Sequence, residues 1–217
     1  MSKVIVLMGA PGVGKGTQAR LLQERLGLPQ ISTGDMLRAR AQREDSLGKE
    51  IRAVQDAGKL ASDDLVGRVV RDRIAEEDCR HGYVLDGFPR TIVQAEMLER
   101  LVAEKGNQIT AVLIDVPREI LEKRLTGRRT CPVCGEIYNV YFQPPKVEGF
   151  CDLHPDSRLI ERTDDAREKI RVRLETYDQQ TQPLIAFYDA NERLRRIDGT
   201  REPEDIYAEL ERIVNEQ

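Results

Sequence analysis

The stretch Lys3–Met8 followed by Gly9-Ala10-Pro11-Gly12-Val13-Gly14-Lys15-Gly16-Thr17 constrains this chain more than any other part of it. Lys3–Met8 is a short apolar, β-branched run and reads as a strand. Gln18–Leu26 carries Leu21, Leu22 and Leu26 on one helical face. A strand, a glycine-rich loop and a helix in that order bring backbone N–H groups and a helix N-terminus onto one anion, and Lys15 adds a point charge. Glycine lets the backbone wrap that anion without Cβ clashes. A turn that merely needs glycine would not also require a lysine at this spacing. The usual signature has Ser or Thr after the lysine, where this chain has Gly16, and the hydroxyl is displaced to Thr17. The expectation is therefore an intact phosphate cradle from Gly12 to Thr17, with any metal carried by the phosphates and held by a carboxylate elsewhere. Asp86 ends the apolar run Tyr83–Asp86, where an α/β sheet presents its ligands.

Further β-rich runs lie at Thr110–Val116 and Leu194–Ile197, with a weaker one at Gln30-Ile31-Ser32. Helical patterns at Asp63–Ile74, Ile92–Val102, Arg118–Leu125 and a last helix bearing Ile206, Leu210 and Ile213 alternate with them. That rhythm predicts an α/β fold with a parallel sheet covered on both faces. Two segments break it. Residues 33–74 hold helices without a strong strand between them and read as a helical insertion. Residues 128–164, rich in turn formers and in alternating aromatics (Tyr138-Asn139-Val140-Tyr141-Phe142), read as a small β subdomain.

The chain has 34 Lys plus Arg against 38 Asp plus Glu, a net charge of -4, so no general basic excess points to nucleic acid or a membrane surface. No stretch approaches the roughly 18 apolar residues of a membrane span, and the apolar run at the N-terminus is too short for a signal peptide. A cytoplasmic protein is the expectation. Cys131-Pro-Val-Cys134, then sixteen residues, then Cys151-Asp-Leu-His154 has the paired-knuckle spacing of a closed four-coordinate metal site. Zinc suits this set best, and iron also accepts thiolates. Asp152 and Asp156 have the wrong spacing. Cys79 and His81 have no partner motif.

Gly9–Thr17, Ile31-Ser32-Thr33-Gly34-Asp35-Met36-Leu37-Arg38 and Leu85-Asp86-Gly87-Phe88-Pro89-Arg90-Thr91 together resemble adenylate kinases. So do Gly127-Arg128-Arg129 and Pro144-Pro145-Lys146-Val147-Glu148-Gly149, in register over nearly the whole chain and with the longer lid of the bacterial type. The resemblance implies a P-loop nucleoside monophosphate kinase fold with a five-stranded parallel sheet flanked by helices. It divides the chain into a core (1–31, 62–127 and 165–217), an NMP-binding insertion (32–61) and a zinc-binding lid (128–164). It implies Mg²⁺-dependent transfer between ATP and AMP to give two ADP, by a monomer. Gly12, Val13, Gly14, Lys15, Gly16 and Thr17 match the ATP phosphate loop, and Arg124, Arg128, Ile137, Tyr138 and the Gly199–Arg201 backbone match other ATP contacts. Thr33, Arg38, Lys59, Leu60, Ala61, Gly87, Phe88, Pro89, Arg90 and Gln94 match the AMP site. Arg162 and Arg173 match residues bridging AMP and the moving phosphoryl group, with Asp164 (and Asp165 beside it) placed to orient arginines or the metal's water shell. Cys131, Cys134, Cys151 and His154 match a lid zinc site, although the family more often has Cys or Asp at the fourth position. Asp86 matches the carboxylate that holds magnesium through water.

Any one arginine, picked blind, is most often a solvated surface charge. The motif matches reverse this for Arg38, Arg90, Arg128, Arg162 and Arg173, not for Arg167 or Arg171. Two other readings stay open on the sequence. One is a kinase acting on UMP, CMP or GMP, which Thr33, Arg38 and Gln94 disfavour. The other is a zinc-ribbon module whose nucleotide loop serves binding or switching without transfer.

Overall fold

The computed structural model describes residues 3–57 and 59–216. Its centre is β1 (Lys3–Met8), in which Val4, Ile5 and Val6 are fully buried. A strand with no polar face must be covered on both sides, and this one is. It pairs in parallel with β3 (Gly82–Asp86) on one side and β4 (Gln108–Asp115) on the other. Then β2 (Gln30–Ser32) adds to β3, and β7 (Leu194–Asp198) adds to β4. The result is one five-stranded parallel sheet in the order β2-β3-β1-β4-β7. Val4, Val6 and Met8 point to one face, where α4 (Asp63–Ile74), α5 (Ile92–Ala103) and α8 (Leu184–Asp189) supply Val70, Leu98 and Tyr188. Ile5 and Leu7 point to the other, against Leu22 of α1 (Lys15–Leu26) and Leu210 of α9 (Pro203–Asn215). Each such side chain contributes about 1.5–3 kcal/mol by leaving water.

The strand order reverses at β1, so its carboxyl end opens onto the crevice where parallel sheets bind ligands. Elements that leave the sheet gather around that crevice. α2 (Thr33–Ala41), α3 (Ser46–Asp56) and α4 lie between β2 and β3 in the chain and share a small core of Ala41, Ile51 and Leu65. Each begins at a polar cap: Ser32, Asp45 and Ser62 accept from the backbone N–H of Asp35, Gly48 and Leu65. After α6 (Arg118–Thr126), strands β5 (Arg128–Thr130) and β6 (Ile137–Asn139) form an antiparallel pair, and α7 (Arg167–Thr176) returns the chain to the sheet.

The aromatic run expected to alternate through Phe142 ends as strand at Asn139. The Asn139 carboxamide oxygen accepts from the backbone N–H of Tyr141 and of Phe142 (3.0 and 3.3 Å), which turns the chain out of the ladder. The π-helical segment Tyr177–Thr181 and the six-residue α8 are too short for a periodic signal. Among the described residues, no helix is long and apolar enough to cross a membrane.

Candidate active site

The glycine loop folds as its composition demands. Gly9 has φ +134°, and a Cβ there would stand 2.5 Å from the Ile114 carbonyl oxygen. Gly14, the N-cap of α1, has φ +102° and supplies no side-chain cap, so the first N–H groups of the helix face the crevice uncapped. The Lys15 ammonium donates to the carbonyls of Gly9 (2.8 Å) and Ala10 (3.1 Å). Burial pulls its pKa down to about 8, against the opposing pull of Asp86, and the neighbouring Arg90, Arg173 and Arg128 lower it further. The Asp86 carboxylate lies 3.4 Å from where a Cβ on Gly16 would sit. The missing hydroxyl at position 16 thus leaves the loop beside the one carboxylate expected to serve the metal.

The crevice is a cleft of about 970 Å³. Gly12 to Thr17 form its floor, and Arg38, Arg90, Arg128, Arg162 and Arg173 all reach into it. Burial is the first reason that the pKa values of Arg90, Arg162 and Arg173 are lowered, and repulsion from neighbouring arginines adds to it; Arg162 falls to about 10. Cations packed out of water against one another are poised for a polyanion. Two of them are held by a buried carboxylate. Asp165 accepts from Nε and Nη2 of Arg128 (2.7 and 2.6 Å) and from Nη1 of Arg173 (2.8 Å). Asp164 contacts Arg173, by side chain (3.1 Å) and carbonyl (2.9 Å).

On the β2–β3 side, Gly87, Pro89 and Leu60 line the cleft, and Arg90 is oriented by an Nε bond to the Gly87 carbonyl (2.8 Å). Thr33 is buried and donates to that same carbonyl (2.8 Å). Phe88 belongs to the core, 1% exposed, so only its backbone is available to a ligand. Gln94 is equally buried: its oxygen accepts from Arg90 N (2.8 Å) and its nitrogen donates to Asp63 (2.8 Å). Lys59 and Ala61 flank Leu60 outside the cleft wall.

On the other side, Arg124 donates to the carbonyls of Gly199 (2.8 Å) and Val13 (3.3 Å), tying the loop after β7 to the glycine loop. The Arg201 side chain pairs with Glu209, the N–H groups of Gly199 and Thr200 donate to the Asp115 carbonyl (2.8 Å) and the Asp198 carboxylate (2.9 Å), and Thr200 and Arg201 line the cleft. Ile137 lines the cleft. Tyr138 does so as well, but its ring is 5% exposed and its hydroxyl is used inward, accepting from Asp152 N (2.8 Å).

Beneath Tyr138, the thiols of Cys131, Cys134 and Cys151 and a ring nitrogen of His154 lie within 4.8 Å of one another. None of the cysteines is in a disulfide. The sulfurs of Cys134 and Cys151 are 3.8 Å apart, which matches two thiolates about 2.3 Å from one tetrahedral ion. His154 Nδ1 is buried with no hydrogen-bond partner, a polar group that a metal would satisfy. These four residues can hold a metal ion.

A family model described as adenylate kinase matches residues 7–193. The chain belongs to the adenylate kinase family. It is 47% identical to an adenylate kinase of Shouchella clausii over 98% of both chains. It is 48% identical to one of Thermodesulfovibrio yellowstonii over 94% of both, and 45% identical to one of Clostridium novyi over 94% of both. Its sheet and glycine loop are those of a P-loop nucleoside monophosphate kinase.

Beyond the residues that resemble other adenylate kinases, the cleft is also lined by Arg20, Asn139, Phe142 and Ile160. Arg20 carries the one available sequence signal, standing five residues beyond Lys15 on the same helix. For the others, chain position gives no hint, because their place depends on how the 128–164 segment folds over the loop.

Proposed function

We infer that this protein catalyses reversible, Mg²⁺-dependent phosphoryl transfer, ATP + AMP to two ADP, and so balances adenine nucleotides. One observation carries the reading. A single cleft joins the glycine loop after β1 to five arginines: Arg38 of α2, Arg90 in the turn after β3, Arg128 of β5, Arg162 in the segment before α7, and Arg173 of α7. Phosphoryl transfer leaves little covalent work to protein groups, so catalysis is positioning and charge stabilisation. The loop N–H groups and Lys15 hold the donor phosphates. Arg38 and Arg90 grip the AMP phosphate, a nucleophile already anionic, so no general base is needed. Arg128, Arg162 and Arg173 surround the moving group, and guanidinium forks match its paired oxygens.

Asp86 is the carboxylate that would hold the water shell of a magnesium ion bound with ATP, and such an ion would supply neutralisation of developing charge on the phosphates. Zinc is the lid ion that Cys131, Cys134, Cys151 and His154 suit, in a closed structural role. Residues 32–61 form the AMP-binding insertion and 128–164 the lid, closing on the core (1–31, 62–127, 165–217) to keep water from the phosphoryl group. The enzyme acts as a cytoplasmic monomer.

Coupled turnover with ATP and each of AMP, CMP, UMP and GMP tests this, with metal content measured on the same sample. The expected result is fast ADP formation with AMP alone and one zinc per chain. Turnover with another monophosphate moves the specificity, and nucleotide binding without turnover would favour the switching module.

A further inference from the structure

Glu136 immediately precedes Ile137 in β6, and its carboxylate is bound by Arg20 of α1 through both guanidinium ends: Nη1 to Oε2 at 2.8 Å and Nη2 to Oε1 at 3.0 Å. The two residues are 116 positions apart. Their side chains are 30% and 22% exposed, so the pair is partly shielded from water and salt. Arg20 lines the cleft, and so do Gly135 and Ile137 on either side of Glu136. The Glu136 carbonyl accepts from Cys131 N (2.9 Å), which couples its position to the cysteine cluster. The pair shares no hydrogen-bond partner with the Arg128, Asp165 and Arg173 cluster among the described residues.

We propose that Arg20 and Glu136 are a positioning pair that seats the lid on the P-loop helix, setting Ile137 over bound ATP. This rests on the adenylate kinase reading above. Neither residue touches a reacting atom. A two-point, charge-assisted contact fixes angle as well as distance, and it exists only while the lid is down. Breaking it leaves the lid to find the nucleotide unaided. ATP binding weakens, AMP binding does not, and lid opening for product release is not slowed.

The test is a double-mutant cycle with R20A, E136A and the double variant, plus the charge swap R20E/E136R, all measured against parental turnover. Each single variant should raise KM for ATP about threefold to fivefold, with KM for AMP and the melting temperature unchanged and kcat unchanged or higher. The double variant should be no worse than either single, and the swap should recover most of the loss. Additive effects, an unrecovered swap, or an unchanged KM for ATP in the single variants would overturn the proposal. Hydrogen exchange of the Ile137–Asn139 amides with ATP bound is the second readout. Protection lost in R20A and regained in the swap supports the pair even if the parent fails to turn over with AMP, a failure that counts against the enzymatic reading alone. Equal protection in parent and R20A counts against the pair.

Discussion

Lys15 is held by two carbonyls of its own loop and is depressed to about 8 from an ordinary 10.5, chiefly by burial. Only the ammonium form pairs with phosphate, so kcat/KM for ATP should fall as pH rises through about 8, the value of the free protein. The kcat profile should stay flat to higher pH, because bound phosphate favours the charged form. Coincident breaks in the two profiles would contradict this. Between about 8 and 10.5 the unfolded chain binds more protons at this lysine than the native one. The cost of burying the cation is therefore full below 8, and this site adds stability as pH rises across that window. Asp165, by contrast, anchors two arginines at 2.6–2.8 Å from a buried position. Asp165→Asn should cost about 2–4 kcal/mol of stability by leaving buried guanidinium groups underpaired, and should lower kcat as Arg128 and Arg173 lose their aim. Urea melts and turnover of the same variant check both. The cationic residues were legible in sequence as motif matches. Which of the two adjacent aspartates does the holding was not, because that depends on the rotation of the chain where it enters α7.

At the scale of elements, the cysteine-bearing segment is the piece least able to support itself. Its buried apolar cluster is Cys131, Tyr138 and Cys151 with Leu159 packed against it, so two of its three buried members are metal-ligand candidates. Cys134→Ser, or removal of the ion by a chelator, should loosen this segment and lower the melting temperature while AMP binding persists. An unchanged melting curve with metal fully retained would refute that role. Gly127 shows how closely the segment sits on α6. A Cβ there would lie 2.5 Å from the Tyr141 ring and 2.6 Å from Asn139 Oδ1. Gly127→Ala should push β5 and β6 away and lower kcat/KM for ATP, at a stability cost of about 1–3 kcal/mol, measurable by the same melts. The long strands and helices were legible because apolar runs and 3.6-residue spacing reflect burial directly. The end of β6 at Asn139, the π-helical turn and α8 were not, since each is fixed by a few hydrogen bonds rather than by periodicity.

Across the whole molecule, the cleft draws its walls from the carboxyl ends of the sheet strands, from α2 and from the 128–164 segment, so a ligand spanning it ties together parts far apart in the chain. A dinucleotide polyphosphate carrying both adenosines at one hundred times its Kd should add about 2.7 kcal/mol, a rise of about 5–10 °C in melting temperature for a chain of this size. ATP and AMP added singly at that same concentration should each give less, because each engages only half of the cleft and binds more weakly. A bridging ligand that stabilises no more than ATP alone would mean the two halves of the cleft are not used together. The parallel sheet and the position of the glycine loop followed from the alternation of runs along the chain, whereas the strand order did not. The inward faces of the two attached segments did not, because their contacts are long-range and polar. Arg128, where the chain leaves the sheet layer, is bonded to Asp165, where it comes back. The neck of this excursion is thus closed by its own two ends, as a cassette is by its clasp. Replacing residues 130–162 with a short Gly–Ser turn should therefore leave a foldable miniature of the protein, and inserts of other lengths should be carried on the same clasp.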